Sequence, residues 1–153
     1  MKLLVIGDTH GNTSLIKELV QKYPDMDFYL HTGDSELDPS SIAPFISVKG
    51  NCDYYPFDQK YFLRTPFGHI FMRHYPYIIN EDAEEVDFFI HGHTHVAKIK
   101  KEENLLILSP GSLVLPRDGT NGTYMIIHLD ECDKYIDVID VFSKKIITHY
   151  KIM

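Results

Sequence analysis

The chain repeats one local pattern six times: a short apolar run that ends in a loop of glycine, proline and small polar or ionisable residues. The six are LLVIGDTHG, DFYLHTGD, FISVKGNCD, HIFMRHYP, DFFIHGHTH and LLILSPGS. Apolar runs of this length, bounded by turn-forming residues, read as strands buried on both faces. Between the first two lies TSLIKELVQKY, with apolar residues at Leu15, Ile16, Leu19 and Val20. That is helical spacing, with Thr13 or Ser14 as N-cap and Pro24 beyond the end. Strand–helix–strand order implies parallel pairing through a crossover. In parallel sheets, ligands collect beyond the carboxyl ends of the strands. The pattern therefore predicts an α/β fold whose polar loops meet at one edge.

The remaining segments fit around that frame. SSIAPF is at most a short helix, and EDAEEV at 81–86 reads as one helical turn. QKYFLRTPFGHIFMRHYP reads as a hairpin turning at Pro66 to Gly68, and VAKIKKEENLLILSPGS as a second hairpin. TYMIIHLD, YIDVIDVF and IITHYKI are strand-like. The aromatic stretch YYPFDQKYF is assigned first to hairpin packing. With no repeat, low-complexity tract or linker, residues 1–153 are expected to form one domain. Hydrophobic residues make up 44% of the chain and charged residues 24%, ordinary for a globular domain. No run approaches the ~20 apolar residues of a membrane span. MKLLVIG runs into Gly-Asp rather than a cleavage site, so it reads as a first strand and not a signal peptide. A cytoplasmic protein with no membrane partner is expected. Cys52 and Cys132 form no metal or redox motif and are expected to be free thiols.

The net charge is −7 and no basic run exceeds a Lys pair. Stable duplex nucleic-acid binding needs Lys and Arg at the phosphates, so none is expected. An acidic chain that handles phosphate needs positive charge from bound metal ions. The loops carry Asp8, His10, Asp34, Asn51, Asp53, His74, His91, His93 and His95. Taken singly, Asp or Asn after a strand is an ordinary turn residue, and His74 beside Tyr75 and Tyr77 is a packing residue. Taken jointly, the set fits metal ligation. Neutral imidazole is the commonest side-chain metal ligand. Carboxylate with imidazole suits manganese, iron, zinc or nickel better than calcium. A pair of ions ~3.5–4 Å apart can clamp the attacking and leaving oxygens of a phosphoryl displacement. The set is large enough for a bridging carboxylate and three further ligands for each ion.

The order Asp8-x-His10, Gly33-Asp34, Gly50-Asn51, His74, Gly92-His93-x-His95 resembles the calcineurin-like metallophosphoesterase superfamily. The small size and the GNCD string resemble its compact, YfcE-like bacterial and archaeal phosphodiesterase branch. The resemblance implies a two-sheet mixed β-sandwich flanked by helices, in α/β/β/α layers. It also implies two divalent metal ions, Mn2+ first, with Ni2+, Fe and Zn2+ as the other candidates. Asp8, His10 and His95 would hold one ion, Asn51, His74 and His93 the other, and Asp34 would bridge them. The implied reaction is hydrolysis of a small phosphodiester by in-line attack of a hydroxide shared between the ions, with Asp34, Asn51 and His74 as catalytic residues. Cys52, Asp53, His91, Ser112 and Arg117 are assigned to support of the ligands or contact with substrate. His91 matches no usual ligand position and is expected to fix His93 or a loop carbonyl. Ser109 stands where the family has Asn.

Two departures bear on substrate. Cys52 occupies the place where many superfamily phosphatases have His, and a thiol of pKa ~8.5 is a weak general acid. That favours diesters with good leaving groups. Tyr75 and Pro76 replace the Gly-His usual in the branch and change the pocket wall. The alternatives are a phosphomonoesterase, a protein or nucleotide phosphatase (including dinucleoside polyphosphate hydrolysis), a non-catalytic scaffold like the retromer subunit, and metal storage or sensing. A homo-oligomer is compatible with the sequence.

Overall fold

A computed structural model describes residues 1–78 and 85–152. The first apolar run forms β1 (Lys2–Ile6), whose side chains alternate between two cores. Leu3 and Val5 join one buried cluster, Leu4 and Ile6 another. Cover on both faces is why this run carries no polar alternation. Helix α1 (Thr13–Lys22) packs on one face, placing Ile16 and Leu19 in the cluster of Leu4 and Ile6. Its N-cap is Asn12, whose Oδ1 accepts from the Leu15 amide at 3.1 Å, rather than Thr13 or Ser14. The turn before it explains the shift: His10 and Gly11 are left-handed, so the chain enters the helix at Asn12.

Ten further strands follow. They are β2 (Phe28–His31), β3 (Ile46–Ser47), β4 (Lys60–Thr65), β5 (Gly68–Arg73), β6 (Phe88–Ile90), β7 (Ala97–Glu102), β8 (Leu105–Pro110), β9 (Thr123–Leu129), β10 (Lys134–Asp140) and β11 (Ile146–Lys151). One sheet has the order β11-β10-β9-β1-β2-β3 and the other β4-β5-β6-β8-β7. Both are mixed. β1–β2–β3 and β5–β6–β8 are parallel, and the outer strands of each sheet pair antiparallel. The inner core joins Leu3, Val5, Leu30, Met125 and Ile127 of the first sheet to Ile70, Met72, Phe88, Ile90 and Leu108 of the second. Each such side chain stabilises by about 1.5–3 kcal/mol on burial.

Both expected hairpins form, β4–β5 around Pro66-Phe67 and β7–β8 around Glu103-Asn104. The third apolar run makes only a two-residue strand. Val48 bridges to Asp58 and the chain then turns at Gly50-Asn51. SSIAPF contributes a 3-10 turn at Pro39–Ile42 that adds Ile42 to the α1 cluster. Of the helical turn expected at 81–86, positions 81–84 lie outside the described residues. Among the described residues the helical cover lies on the first sheet. The aromatic stretch divides: Phe57 and Tyr61 pack against the cores, whereas Tyr54 is 91% exposed and Tyr55 is also exposed. Among the described residues no helix is long and apolar enough to cross a membrane.

Parallel register is what brings the loops together. Ile6 pairs with His31, so Gly7-Asp8 runs beside Thr32–Asp34. Met72 pairs with Ile90, which pairs with Leu108, so the loops that follow β5, β6 and β8 also leave from one edge.

Candidate metal centre

The edge loops hold their shape against local preference. Asp8 (φ 48°), His10 (41°), Asp34 (62°), His93 (72°) and His95 (59°) all adopt the left-handed region. That region costs energy for residues with a Cβ and persists only where neighbours over-determine it. Here they do. The Asp8 amide donates to the Gly33 carbonyl at 3.0 Å, His10 to Asp34 at 3.0 Å, and Gly92 to His74 at 3.0 Å. Gly50 must be glycine for a different reason: a Cβ there would stand 2.0 Å from Asp34 Oδ1.

Seven side chains converge inside this frame in two groups. In the first, His95 donates Nδ1–H to the Leu115 carbonyl at 2.7 Å, which leaves the Nε2 lone pair 3.5 Å from Asp8 Oδ1. His10 turns Nδ1 to Glu36 Oε1 at 2.7 Å, and its buried Nε2 has no hydrogen-bond partner among the described residues. One ligand atom each of Asp8, His10 and His95 lies within 4.8 Å of the others. In the second group, His74 donates Nδ1–H to the Thr32 carbonyl at 2.8 Å. Its Nε2 then faces Asn51 Oδ1 at 2.9 Å, Asp34 Oδ2 at 3.2 Å and His93 Nδ1 at 3.3 Å. Asp34 adjoins both groups, since its carboxylate, that of Asp8 and the His74 ring also lie within 4.8 Å. Its Oδ1 accepts from the Cys52 amide at 2.8 Å.

With Nδ1 of His74 and His95 committed to carbonyls, the atoms facing inward are lone pairs and carboxylate oxygens. Acceptors gathered in a buried place repel unless a proton or metal cation sits among them. The donor set is of nitrogen and oxygen, which suits divalent transition ions. Without a cation the His74 ring supplies the proton, holding it on Nε2 toward Asp34. Burial pushes the Asp8 carboxyl up to about 7, even though His74 and His10 pull it down. Asp34 is also pushed up by burial, but hydrogen bonds from His74 and the Cys52 amide outweigh this and hold it low. Burial depresses His74, yet the Asp34 hydrogen bond and charge win and raise it. His93 and His95 are lowered, chiefly by burial, and so present neutral rings.

Residues 1–132 match the calcineurin-like phosphoesterase superfamily domain. The chain belongs to that superfamily. This phosphoesterase is 30% identical over 144 residues to the probable metallophosphoesterase YsnB of Bacillus subtilis (strain 168), covering 85% of each chain. Its fold is similar to that of Yfce, a phosphoesterase from E. coli, with TM-score 0.80 and 22% identity over 100% of both chains. It is also similar to wild-type Vps29 from Entamoeba histolytica complexed with Zn2+, with TM-score 0.71, 19% identity, and cover of 99% of this chain and 98% of that one.

The other expected residues of the phosphoesterase surround the seven. Asp53 accepts from the backbone amides of Gly50, Asp34 and Glu36 at 2.7–2.9 Å, tying two loops together. Ser112 Oγ donates to the Asp8 carbonyl at 2.7 Å and accepts from the Leu115 amide at 2.9 Å. Arg117 donates its backbone N–H to the His95 carbonyl at 2.9 Å, and its exposed charge helps lower His93 and His95. His91 stands apart from the seven. It is fully buried, its ring lies against Phe89, and Nδ1 donates to the Gly92 carbonyl at 2.9 Å. Burial lowers its pKa to about 4. Cys52 is exposed; burial of its sulfur and the Asp34 and Glu36 carboxylates push its thiol up.

Sequence reasoning missed four contributors. Glu36 orients His10. The Thr32 and Leu115 carbonyls orient His74 and His95. His31 is fully buried, donating Nε2–H to Thr9 Oγ1 at 2.9 Å and accepting the Gly33 amide on Nδ1 at 3.0 Å. Its place in the HTGD string was the available signal.

Proposed function

We propose that the chain is a phosphodiesterase whose seven converging side chains hold two divalent cations, Mn2+ first among them. The observation that carries this reading is that His10, His74 and His95 each engage Nδ1 with the protein and turn Nε2 inward toward the Asp8 and Asp34 carboxylates. In this assignment Asp8, His10 and His95 hold one ion, Asn51, His74 and His93 the other, and Asp34 serves both. When bound, the cations supply positive charge at the phosphoryl oxygens and activate water for in-line attack. The chain itself, at net charge −7, has little other means of meeting a phosphate.

The residues divide the remaining work. Asp34, whose Oδ1 keeps the Cys52 amide hydrogen bond whether or not His74 turns to a cation, would serve both ions as a carboxylate. Among the described residues Asn51 Nδ2 meets the weak acceptor Cys52 Sγ, at 3.5 Å, and is free to donate to a phosphoryl oxygen. The Cys52 thiol, pushed up, stays protonated but is a poor proton donor to a leaving alkoxide. Leaving groups therefore depart largely unaided, which favours diesters with acidic alcohols over monoesters. Exposed free thiols at Cys52 and Cys132 support a reducing, cytoplasmic setting. The core shared by the two sheets supports one domain over residues 1–153.

The test is hydrolysis of bis-p-nitrophenyl phosphate beside p-nitrophenyl phosphate, after chelation and Mn2+ re-addition. Metal-dependent turnover that prefers the diester is expected. Preference for the monoester would move the reading to a phosphomonoesterase. No turnover of either, with metal bound, would favour a scaffold role.

A further inference from the structure

Ring chemistry continues past His74. The Tyr75 ring lies 5.4 Å from that of His74 and 5.2 Å from that of His93. Tyr77 stacks on Tyr75, with centroids 6.1 Å apart and planes 25° from parallel. The Arg73 guanidinium sits 5.8 Å from the centre of Tyr75 and 5.0 Å from that of Tyr77, and Nη1 donates to the Tyr77 carbonyl at 3.3 Å. Exposure rises along the row: His74 is 1% exposed, Tyr75 is half-buried and Tyr77 is 56% exposed. A braced strip of aromatic rings thus leads from the candidate metal centre out to solvent.

Rings that only fill a core are buried on all sides. Tyr77 instead keeps most of its surface in water while Arg73 holds the strip in place. Rigid, amphipathic tyrosines provide contact area at low entropic cost and stack on planar rings. The strip begins beside His74 and His93, so a phosphate held at the centre would project one of its ester arms along it. The Tyr75 ring, 5.2 Å from that of His93, is the nearer platform for a base one ribose away from such a phosphate, and Tyr77, 6.1 Å further on, extends it.

The geometry points to Tyr75 and Tyr77, braced by Arg73, as the recognition strip for the planar base of a nucleoside that forms one arm of the phosphodiester. This assignment rests on the diesterase reading above. In the reaction, a water oxygen bonds to phosphorus and the bond to the other arm breaks. That arm leaves as an alkoxide or aryloxide with the bonding pair. The nucleoside monophosphate remains, and the water's two protons pass to solvent.

The test compares thymidine 5′-(p-nitrophenyl phosphate) with methyl p-nitrophenyl phosphate on the Mn2+-loaded protein. The leaving group and the attacked phosphorus are the same in both. The thymidyl ester should have the higher kcat/KM by about tenfold, as expected for base–aromatic stacking. That ratio should fall toward one in Tyr77→Leu and survive in Tyr77→Phe. Each ratio is taken within one variant, so losses of folded or loaded protein cancel. Thymidine alone should also inhibit wild-type hydrolysis of the methyl ester competitively. A wild-type ratio near one, or a ratio unchanged in Tyr77→Leu, would overturn the strip while leaving the diesterase intact. Failure to hydrolyse either ester with metal bound would overturn both.

Discussion

On the C-terminal meander, His128 sets Nε2 2.9 Å from Asp130, His149 sets Nδ1 2.5 Å from Asp137, and both rings pack on Tyr135. In the strand-end loops, His74 and His95 turn Nδ1–H to backbone carbonyls, His10 turns Nδ1 to Glu36, and each Nε2 faces inward among acceptors. His31 shows a third arrangement, with both nitrogens satisfied inside the protein. Three environments thus use one residue type in three ways. A carboxylate partner at the solvent edge of the sheet makes a local pair, which water screens where the ring is exposed. A carbonyl behind the ring fixes the tautomer and aims the other nitrogen. The partner of the outer nitrogen, more than the number of histidines, separates a candidate ligand from a structural ring.

The comparison can be broken most decisively at Asp34. Asp34→Asn should lower kcat/KM by about 10³-fold, since metal and carboxylate electrostatics provide several kcal/mol at ~1.4 per decade. Metal analysis should show weaker occupancy of both sites. Turnover like wild type would remove Asp34 from the centre.

Next in size is His31. Burial holds its pKa at about 4 against an ordinary 6.5. The unfolded chain therefore binds more protons between those values. This group's stabilisation is whole above pH 6.5 and is lost as pH falls toward 4. The loss amounts to roughly 3 kcal/mol. Urea denaturation of metal-free wild type and His31→Gln should show stability curves that converge by that amount across the window. Parallel curves would mean that His31 is charged in the fold, as a surface ion-pairing ring can be.

Glu36→Ala should weaken one metal equivalent by about 10–100-fold, the usual cost of losing a ligand's supporting hydrogen bond. Metal titration reads this directly. Full affinity would place the His10–Glu36 pair with the meander pairs. The smallest effect belongs to Asp137→Asn, which removes the carboxylate from a His149 that is half exposed. Stability should change by about 1 kcal/mol, since Asp137 is buried but water reaches the His149 side of the pair, and metal content not at all. Loss of metal would dissolve the distinction between the two regions.

Much of this arrangement was legible in the letters. Apolar runs ending in GDTHG, HTGD and HGHTH are long enough to be strands, and their order predicts parallel neighbours whose loops share an edge. What escaped has physical causes. Asn12 caps α1 because His10 and Gly11 turn left-handed, a turn that helical spacing does not reveal. The Thr32 and Leu115 carbonyls aim two rings, yet a backbone oxygen belongs to every residue and leaves no mark in sequence. Tyr54 stands exposed beside Phe57 and Tyr61, which pack, because the isolated Val48–Asp58 bridge, not strand alternation, sets the path of that segment. Glu36 and His31 were visible in HTGDSE, and asking what orients each candidate ligand would have found them.

β1 ends at the approach to Asp8 and is flanked by β2 on one side and β9 on the other. During synthesis the first of these neighbours arrives early and the second late. When His95 is joined to the chain every candidate ligand has been made, but Thr123, where β9 begins, has not. Until it has, the strand that carries the first carboxylate has an open edge, and Leu3 and Val5 lack Met125 and Ile127 in the core. A nascent chain stopped after Arg117 would own all seven side chains and still be unable to hold Asp8 where the others meet.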